Sequence, residues 1–243
     1  METGKGIAYN LQLPRSLSRK QEKENYMRLR NIPGAKEHVA ESPLTINEPE
    51  SYKGHFSDLF GGKPVQIEIG MGKGTFITQK AQQDPDTGFI GIEMYSSVLL
   101  RGLQKVEAME NPPENLRMIC MDANDIEDVF GDKEIDRIYL NFSDPWPKEK
   151  HAKRRLTHHR FLDKYYQILK DDGFIEFKTD NKDLFEFSVE EVQDTDGWQI
   201  VTVTRDLHHN TELMKDNIMT EYEKKFSGLG NKICKLVFRK VSK

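Results

Sequence analysis

A chain of 243 residues, 36% hydrophobic and 31% charged, has room for a single α/β core beneath a heavily solvated surface. Its net charge of −4 argues against a protein that coats nucleic acid through bulk positive charge. No apolar run approaches the length of a membrane span and the N-terminus lacks the apolar core of a signal peptide, so the expected compartment is cytoplasmic and no membrane partner is expected.

Residues 1–26 are polar and without hydrophobic pattern. They read as a flexible N-terminal extension, or as a remnant ahead of a natural start at Met27. Residues 27–60 carry scattered apolar positions and three prolines, and read as a lead-in to one domain covering residues 27–243. Regular alternation begins at Val65. Strands are predicted over residues 65–70, 88–94, 116–122, 135–142 and 173–180, each rich in Ile, Phe or Leu and ending at or just before a polar residue. Helices are predicted between them, over residues 75–83, 96–109, 124–130 and 157–170. In the last, Leu162, Tyr165, Tyr166 and Leu169 share one helical face, and Thr157 reads as its N-cap. A helix over residues 182–192, strands over 198–205 and 232–239, and a short helix over 221–226 complete the chain. This alternation implies a parallel sheet with helices on both faces, closed by an antiparallel, hairpin-like end. Cys120 and Cys234 lie in apolar strand-like segments and read as reduced core residues, not as a disulfide or a metal pair.

Charge is distributed unevenly. Between Lys148 and Arg160 there are six Lys or Arg, one acid (Glu149) and three histidines. Between Arg15 and His38 there are seven Lys or Arg against three acids. The first patch follows Ser143-Asp144-Pro145-Trp146-Pro147 directly, which suits a local polyanion site. The second, taken alone, reads as a solvated surface.

In open α/β sheets ligands bind at the carboxyl ends of the strands, so the polar residues closing each strand form a set. The first strand ends in Glu68-Ile69-Gly70-Met71-Gly72-Lys73-Gly74. Its G-x-G-x-G spacing differs from the G-x-G-x-x-G of a pyrophosphate site, and an acid precedes it. That suits a ligand bearing a cationic amine and no phosphate, such as S-adenosylmethionine. Glu93 closes the second strand, where an acid accepts from ribose hydroxyls in nicotinamide and other nucleoside sites alike. Asp122 closes the third, where an acid can accept from an adenine amino group. Asp144 closes the fourth, next to the first across the switch point, where an acceptor substrate would meet the cofactor. Pro145 and Pro147 force the chain out of the sheet and stiffen it. Trp146 reads as a stacking surface or, with slightly better odds, as a core anchor.

Together these residues resemble the bacterial tRNA (guanine-N7-)-methyltransferase family. The resemblance is carried by residues 141–148, by Arg154-Arg155-Leu156, by residues 177–181, by Thr220-Glu221-Tyr222-Glu223, and by Met27-Arg28-Leu29-Arg30 as the family's beginning. It implies a Rossmann-like class I methyltransferase fold, with seven mostly parallel strands in the order 3-2-1-4-5-7-6. It also implies methylation of N7 of guanine 46 in the tRNA variable region with S-adenosylmethionine as donor, by a monomer or a homodimer. By the same resemblance, Glu68, Gly70, Gly72, Glu93, Asp122 and Asp144 would hold the cofactor, with Asp144 also catalytic. Lys148, Asp180, Thr220, Glu221, Tyr222 and Glu223 would contact the substrate, and Lys150, His151, Lys153, Arg154 and Arg155 the RNA. Glu149 departs from the family, where many relatives are basic.

Three other readings compete: a methyltransferase acting on another target, an NAD-dependent oxidoreductase, and an RNA-binding module without catalysis. The glycine spacing disfavours the second and the row of acids the third. His158-His159 and His208-His209 show no carboxylate or cysteine at ligand spacing in the sequence, so no metal is expected.

Overall fold

A computed structural model describes residues 31–242 of the chain. The expected extension over residues 1–26 and the start at Met27 lie outside the described residues. In chain order the elements are α1 (Ala35–Glu41), β1 (Val65–Ile69), α2 (Thr75–Gln83), β2 (Gly88–Glu93), α3 (Ser96–Glu107), β3 (Leu116–Cys120) and α4 (Ile126–Val129). There follow β4 (Ile135–Asn141), α5 (His159–Ile168), β5 (Leu169–Thr179), α6 (Lys182–Asp194), β6 (Trp198–Thr204), α7 (Thr211–Met214), α8 (Glu221–Gly228) and β7 (Cys234–Lys240). No helix among the described residues is long and apolar enough to cross a membrane.

The strands form one sheet in the order β3-β2-β1-β4-β5-β7-β6. Neighbours from β3 through β5 are parallel, while β7 runs antiparallel to both β5 and β6. The sequence-based expectation of a class I methyltransferase sheet therefore holds. All six residues of β2 are buried, as a parallel strand covered on both faces requires. One core packs Ile67, Ile69, Ile90 and Ile138 against Phe161, Leu162 and Leu184 of α5 and α6. A second packs Phe89 and Met118 against Ile77 of α2 and Leu99, Leu103 and Val106 of α3. After β1 the chain winds toward β2, and after β4 toward β5. The carboxyl ends of β1 and β4 thus border the crevice where the winding reverses.

Several local expectations are corrected. The lead-in segment carries a helix that the pattern did not announce, and Ala35 and Val39 of this α1 join the α3 core. Residues 44–46 pair with the edge of β3, where Met118 N–H donates to Leu44 O and Ile46 N–H to Met118 O. That pairing covers an otherwise open sheet edge. The N-cap of α5 is His158, whose side chain accepts from Arg160 N–H. Thr157 is instead fully buried, with its hydroxyl 2.7 Å from that of Ser188. α5 stops at Ile168, because Leu169 pairs with Ile135 and the strand starts there rather than at Gly173. The helix predicted over residues 124–130 is a short turn, Ala123–Asp125, followed by α4. Cys234 is buried, but Cys120, at the end of β3, is exposed; both are free thiols.

Candidate active site

The loop after β1 owes its shape to glycine. Gly70, Gly72 and Gly74 have φ of 74°, 58° and 69°, the left-handed region that side chains disfavour. A Cβ on Gly70 or Gly72 would meet nothing within 4 Å, so the need is conformational and the space beside them is open. Gly70 N–H and Met71 N–H both donate to Ile92 O, which ties the loop to β2. Met71 then turns into the core, where its sulfur would lie 2.1 Å from any Cβ on Gly91.

Three of the four strand-end acids bear on one another. Glu68 on β1 is buried; its Oε1 accepts from Asn141 Nδ2 at 2.8 Å, and its Oε2 has no partner. Burial pushes its carboxyl up to about 8, opposed by Asn141 and Lys178 and reinforced by Glu93. Glu93 on β2 accepts from Gly72 N–H at 3.2 Å and Tyr95 N–H at 3.0 Å. Burial raises its carboxyl above the ordinary range, and the charge of Asp144 adds to the rise. Asp144 has an exposed surface, yet the protein packed around it displaces enough water to raise its carboxyl as well. Asp122 lies at the end of β3 and accepts from Asn124 N–H and Asn124 Nδ2, at 2.9 and 2.7 Å, as the cap of the turn that follows.

The Asp144 loop is strained and pinned. Phe142 and Trp146 have φ of 54° and 42°, which cost about 1–3 kcal/mol each outside glycine. Phe142 N–H donates to Lys178 O. Arg155 Nε and Nη2 donate to the carbonyls of Pro145 and Trp146, at 3.1 and 3.2 Å, while its guanidinium lies over Phe187. Arg155 is thus turned onto the loop itself. Arg154 lies over the Trp146 ring at 4.9 Å and His151 meets that ring edge-on at 6.0 Å. Trp146 is half-buried in this cluster and outside the core, against the expectation of a core anchor. Lys148, at the start of the turn Glu149–Arg154, and Lys150, Lys153 and Arg154 within it are exposed.

Across the crevice stands α8. Thr220 is its N-cap and accepts from Glu223 N–H at 2.9 Å. Glu221 takes ion pairs from Lys73 of the glycine loop and Lys105 of α3, at 3.3 and 3.2 Å, and a hydrogen bond from Thr75. Glu223 is fully buried and does not face the crevice. It accepts from Lys178 Nζ at 2.7 Å and from Asn217 Nδ2 at 2.6 Å, and it pairs with His208 Nε2 at 2.9 Å. Burial alone would raise its carboxyl, but Lys178 and these hydrogen bonds hold it below the ordinary glutamate range. Asp180 is half-buried and accepts from Asn231 Nδ2. Tyr222, between the two anchored glutamates, is 45% exposed.

Sequence reasoning missed Asn141, Lys178, Lys73 and Lys105. Only Lys178 left a signal: a lysine inside an apolar strand needs a buried acid somewhere in the chain. His158 caps α5, and the histidine pairs also meet carboxylates, a local one for His209 and distant ones for the others. Glu191 meets His158 and His159, Glu223 meets His208, and Asp206 meets His209.

A family model described as "Putative methyltransferase" matches residues 62–236. A curated relative from Lachnoclostridium phytofermentans named tRNA (guanine-N(7)-)-methyltransferase is 54% identical over 212 residues, which are 87% of this chain and 97% of the relative. One of the same name from Bacillus licheniformis is 46% identical over 212 residues, 86% and 97% of the two chains. Among solved structures, an antibiotic-related methyltransferase aligns with a TM-score of 0.56 at 19% identity, covering 76% of this chain and 92% of its own. The 16S rRNA methyltransferase KamB aligns with a TM-score of 0.58 at 12% identity, covering 77% and 93%. At such identities the solved structures speak for the fold alone.

Proposed function

Because the chain belongs to the bacterial tRNA (guanine-N(7)-)-methyltransferase family, we propose that it methylates N7 of guanine 46 in the variable region of tRNA, with S-adenosylmethionine as donor. The observation that carries this reading is the set of acids bordering the crevice: Glu68 buried with Oε2 unpartnered, Glu93 tied to the glycine loop, and Asp144 exposed on the loop after β4. Such a cluster is relieved by a cationic ligand and would repel a pyrophosphate, which disfavours a dinucleotide.

S-Adenosylmethionine fits these residues. The unpartnered Glu68 Oε2 and the open space beside Gly70 and Gly72 suit its amine-bearing end, with Glu93 for the ribose and Asp122 for the adenine. When bound it supplies a methyl group activated by a sulfonium. Guanine N7 carries a free lone pair, so no side chain has to remove a proton to create the nucleophile. As the new N–C bond forms, the C–S pair stays on sulfur and the positive charge passes to the purine. The chain's task is alignment and stabilisation of that charge. Asp144, on its stiffened loop, would accept from the base edge and face the developing charge, with Asp180 as a second contact for base recognition.

The test is methylation of unmodified tRNA transcripts with and without guanine at position 46, read by N7-specific strand cleavage. Cleavage at that position only in the guanine-bearing transcript is expected. Equal methyl incorporation into both transcripts would overturn the assignment.

Two further outcomes are expected. A raised acid binds more protons folded than unfolded, so Glu68 makes stability fall as pH rises from its unfolded value to about 8. A cationic amine beside it favours the ionised form. Binding of S-adenosylhomocysteine near pH 7 should therefore release up to about one proton, seen as a buffer-dependent calorimetric enthalpy. In Glu68→Gln that release should vanish; its persistence would place the proton elsewhere. On the basic rim, Lys148, Lys150 and Lys153 are exposed lysines able to meet phosphates, beside Arg154 on the Trp146 ring. Replacing all three with alanine should weaken tRNA binding and flatten its slope against log salt by roughly 2–3. An unchanged slope would remove the phosphate track from this segment.

A further inference from the structure

His158 and His159 stand where α5 begins, and Glu191 reaches them from α6. The proposed reaction uses none of the three. An imidazole nitrogen from each histidine and a carboxylate oxygen of Glu191 all lie within 4.8 Å of one another. One edge of this triangle is already at ligand spacing: His159 Nδ1 is 3.1 Å from Glu191 Oε2. Two ligands of a tetrahedral zinc, at bonds of about 2.0–2.1 Å, stand roughly 3.3 Å apart. The imidazole rings lie beside each other, centroids 4.0 Å apart at 40°, so a turn of the His158 ring closes the remaining edges. That ring is loosely held, since it accepts from Arg160 N–H at 3.3 Å, beyond the usual length of such a bond. Glu191 is better fixed: Oε2 also accepts from His159 N–H, while Oε1 takes no part in these bonds. The His159 side chain is 59% exposed, which opens the cluster to solvent.

We infer that His158, His159 and Glu191 form a binding site for one divalent metal ion of the zinc type, with water completing its shell. Two imidazoles and one carboxylate are a recurrent zinc donor set that leaves a position open. Imidazole nitrogen selects zinc, copper or nickel over calcium and magnesium, which take oxygen ligands. The ion replaces the proton between His159 and Glu191 and the long cap bond of His158, and so joins the start of α5 to α6. The same two segments already meet one residue earlier, where the hydroxyls of Thr157 and Ser188 lie 2.7 Å apart, so the ion extends an existing seam. Arg155 and Arg160 act against a cation here, but the charge of Glu191 bears on His158 more than that of either arginine. The expectation of no metal rested on local spacing. Glu191 lies 32 residues from His159, beyond what local spacing reports.

The test uses the full chain, freed of metal by chelation, and titrates it with Zn²⁺ in a calorimeter and with Co²⁺ by visible absorption. Stoichiometric binding of a single zinc ion is expected. The cobalt spectrum should show d–d bands without a thiolate charge-transfer band, since Cys120 and Cys234 take no part. Three variants remove one ligand each. His158→Asn keeps a side chain that can cap α5, Glu191→Gln keeps an acceptor for His159 N–H, and His159→Gln changes an exposed ring. Each should unfold, without metal, within a few degrees of wild type. Each should also weaken zinc binding by at least the roughly tenfold to hundredfold that loss of a supporting group costs. His209→Gln and Cys120→Ser, at the exposed alternative ligands, should bind zinc as wild type does. No stoichiometric binding, wild-type affinity in all three ligand variants, a thiolate band, or loss of binding in His209→Gln or Cys120→Ser would overturn the inference. Where one ligand variant loses stability, the other two and the cobalt spectrum still decide. The outcome is independent of the methylation assay.

Discussion

Replacing Asp144 with alanine should cut single-turnover methyl transfer by roughly a hundredfold to a thousandfold. Cofactor affinity should change by about fivefold or less. The asymmetry follows from where the charge moves. The carboxylate has little to stabilise while guanine is neutral, and a full positive charge once N7 is methylated. Its surroundings make it effective: Arg155 pins the carbonyls of Pro145 and Trp146, so the loop that presents it does not reorganise during the reaction. Asp144→Asn keeps the shape and loses the charge, and should fall between wild type and alanine. Because Asp144 is raised by its surroundings, the rate in wild type should fall in acid at a pH above that of an ordinary aspartate. A near wild-type single-turnover rate in Asp144→Ala, with cofactor binding lost instead, would move the residue from chemistry to cofactor recognition.

The second large effect is on stability. Glu223→Ala should destabilise the fold by about 3–5 kcal/mol, since it leaves the Lys178 ammonium buried without its counter-charge. For a domain of this size that corresponds to a fall in Tm of roughly 6–20 °C. The double variant Lys178→Met/Glu223→Gln should recover most of the loss, because it removes the charge and keeps an acceptor for His208 and Asn217. Glu223 is held below the ordinary glutamate range, so its contribution is intact at neutral pH and disappears only as pH falls through that lowered value. Turnover should suffer along with stability, because the pair fixes α8 beside the crevice. A loss below about 1 kcal/mol in the single variant would mean that the pair is not the anchor. Glu223 was expected among the substrate contacts, and the buried pair gives it a supporting part instead.

The alternation of apolar runs with polar closures was legible from the chain alone, because a parallel sheet buries its strands on both faces and exposes only their ends. Glu68, Glu93, Asp122 and Asp144 could be listed for the same reason: each follows directly on an apolar run, and strand ends converge wherever the sheet is parallel. The glycines of the first loop were readable because three left-handed backbone positions in five residues leave few alternatives. The pairing of distant side chains was not readable. Lys178 and Glu223 lie 45 residues apart, and Lys73 and Glu221 lie 148 apart. No local periodicity reports which lysine meets which acid. Arg155 looked like a residue for phosphate until the fold turned it inward onto two carbonyls. Thr157 went the same way, buried against Ser188, while Trp146 went the other way and stayed outside the core. Sequence by itself determined the order of the strands, the family and the acids at the strand ends, all consequences of short-range patterning. Only tertiary structure decided which of those residues stay free for a ligand and which are consumed in holding the site, because that is settled by contacts between segments far apart in the chain.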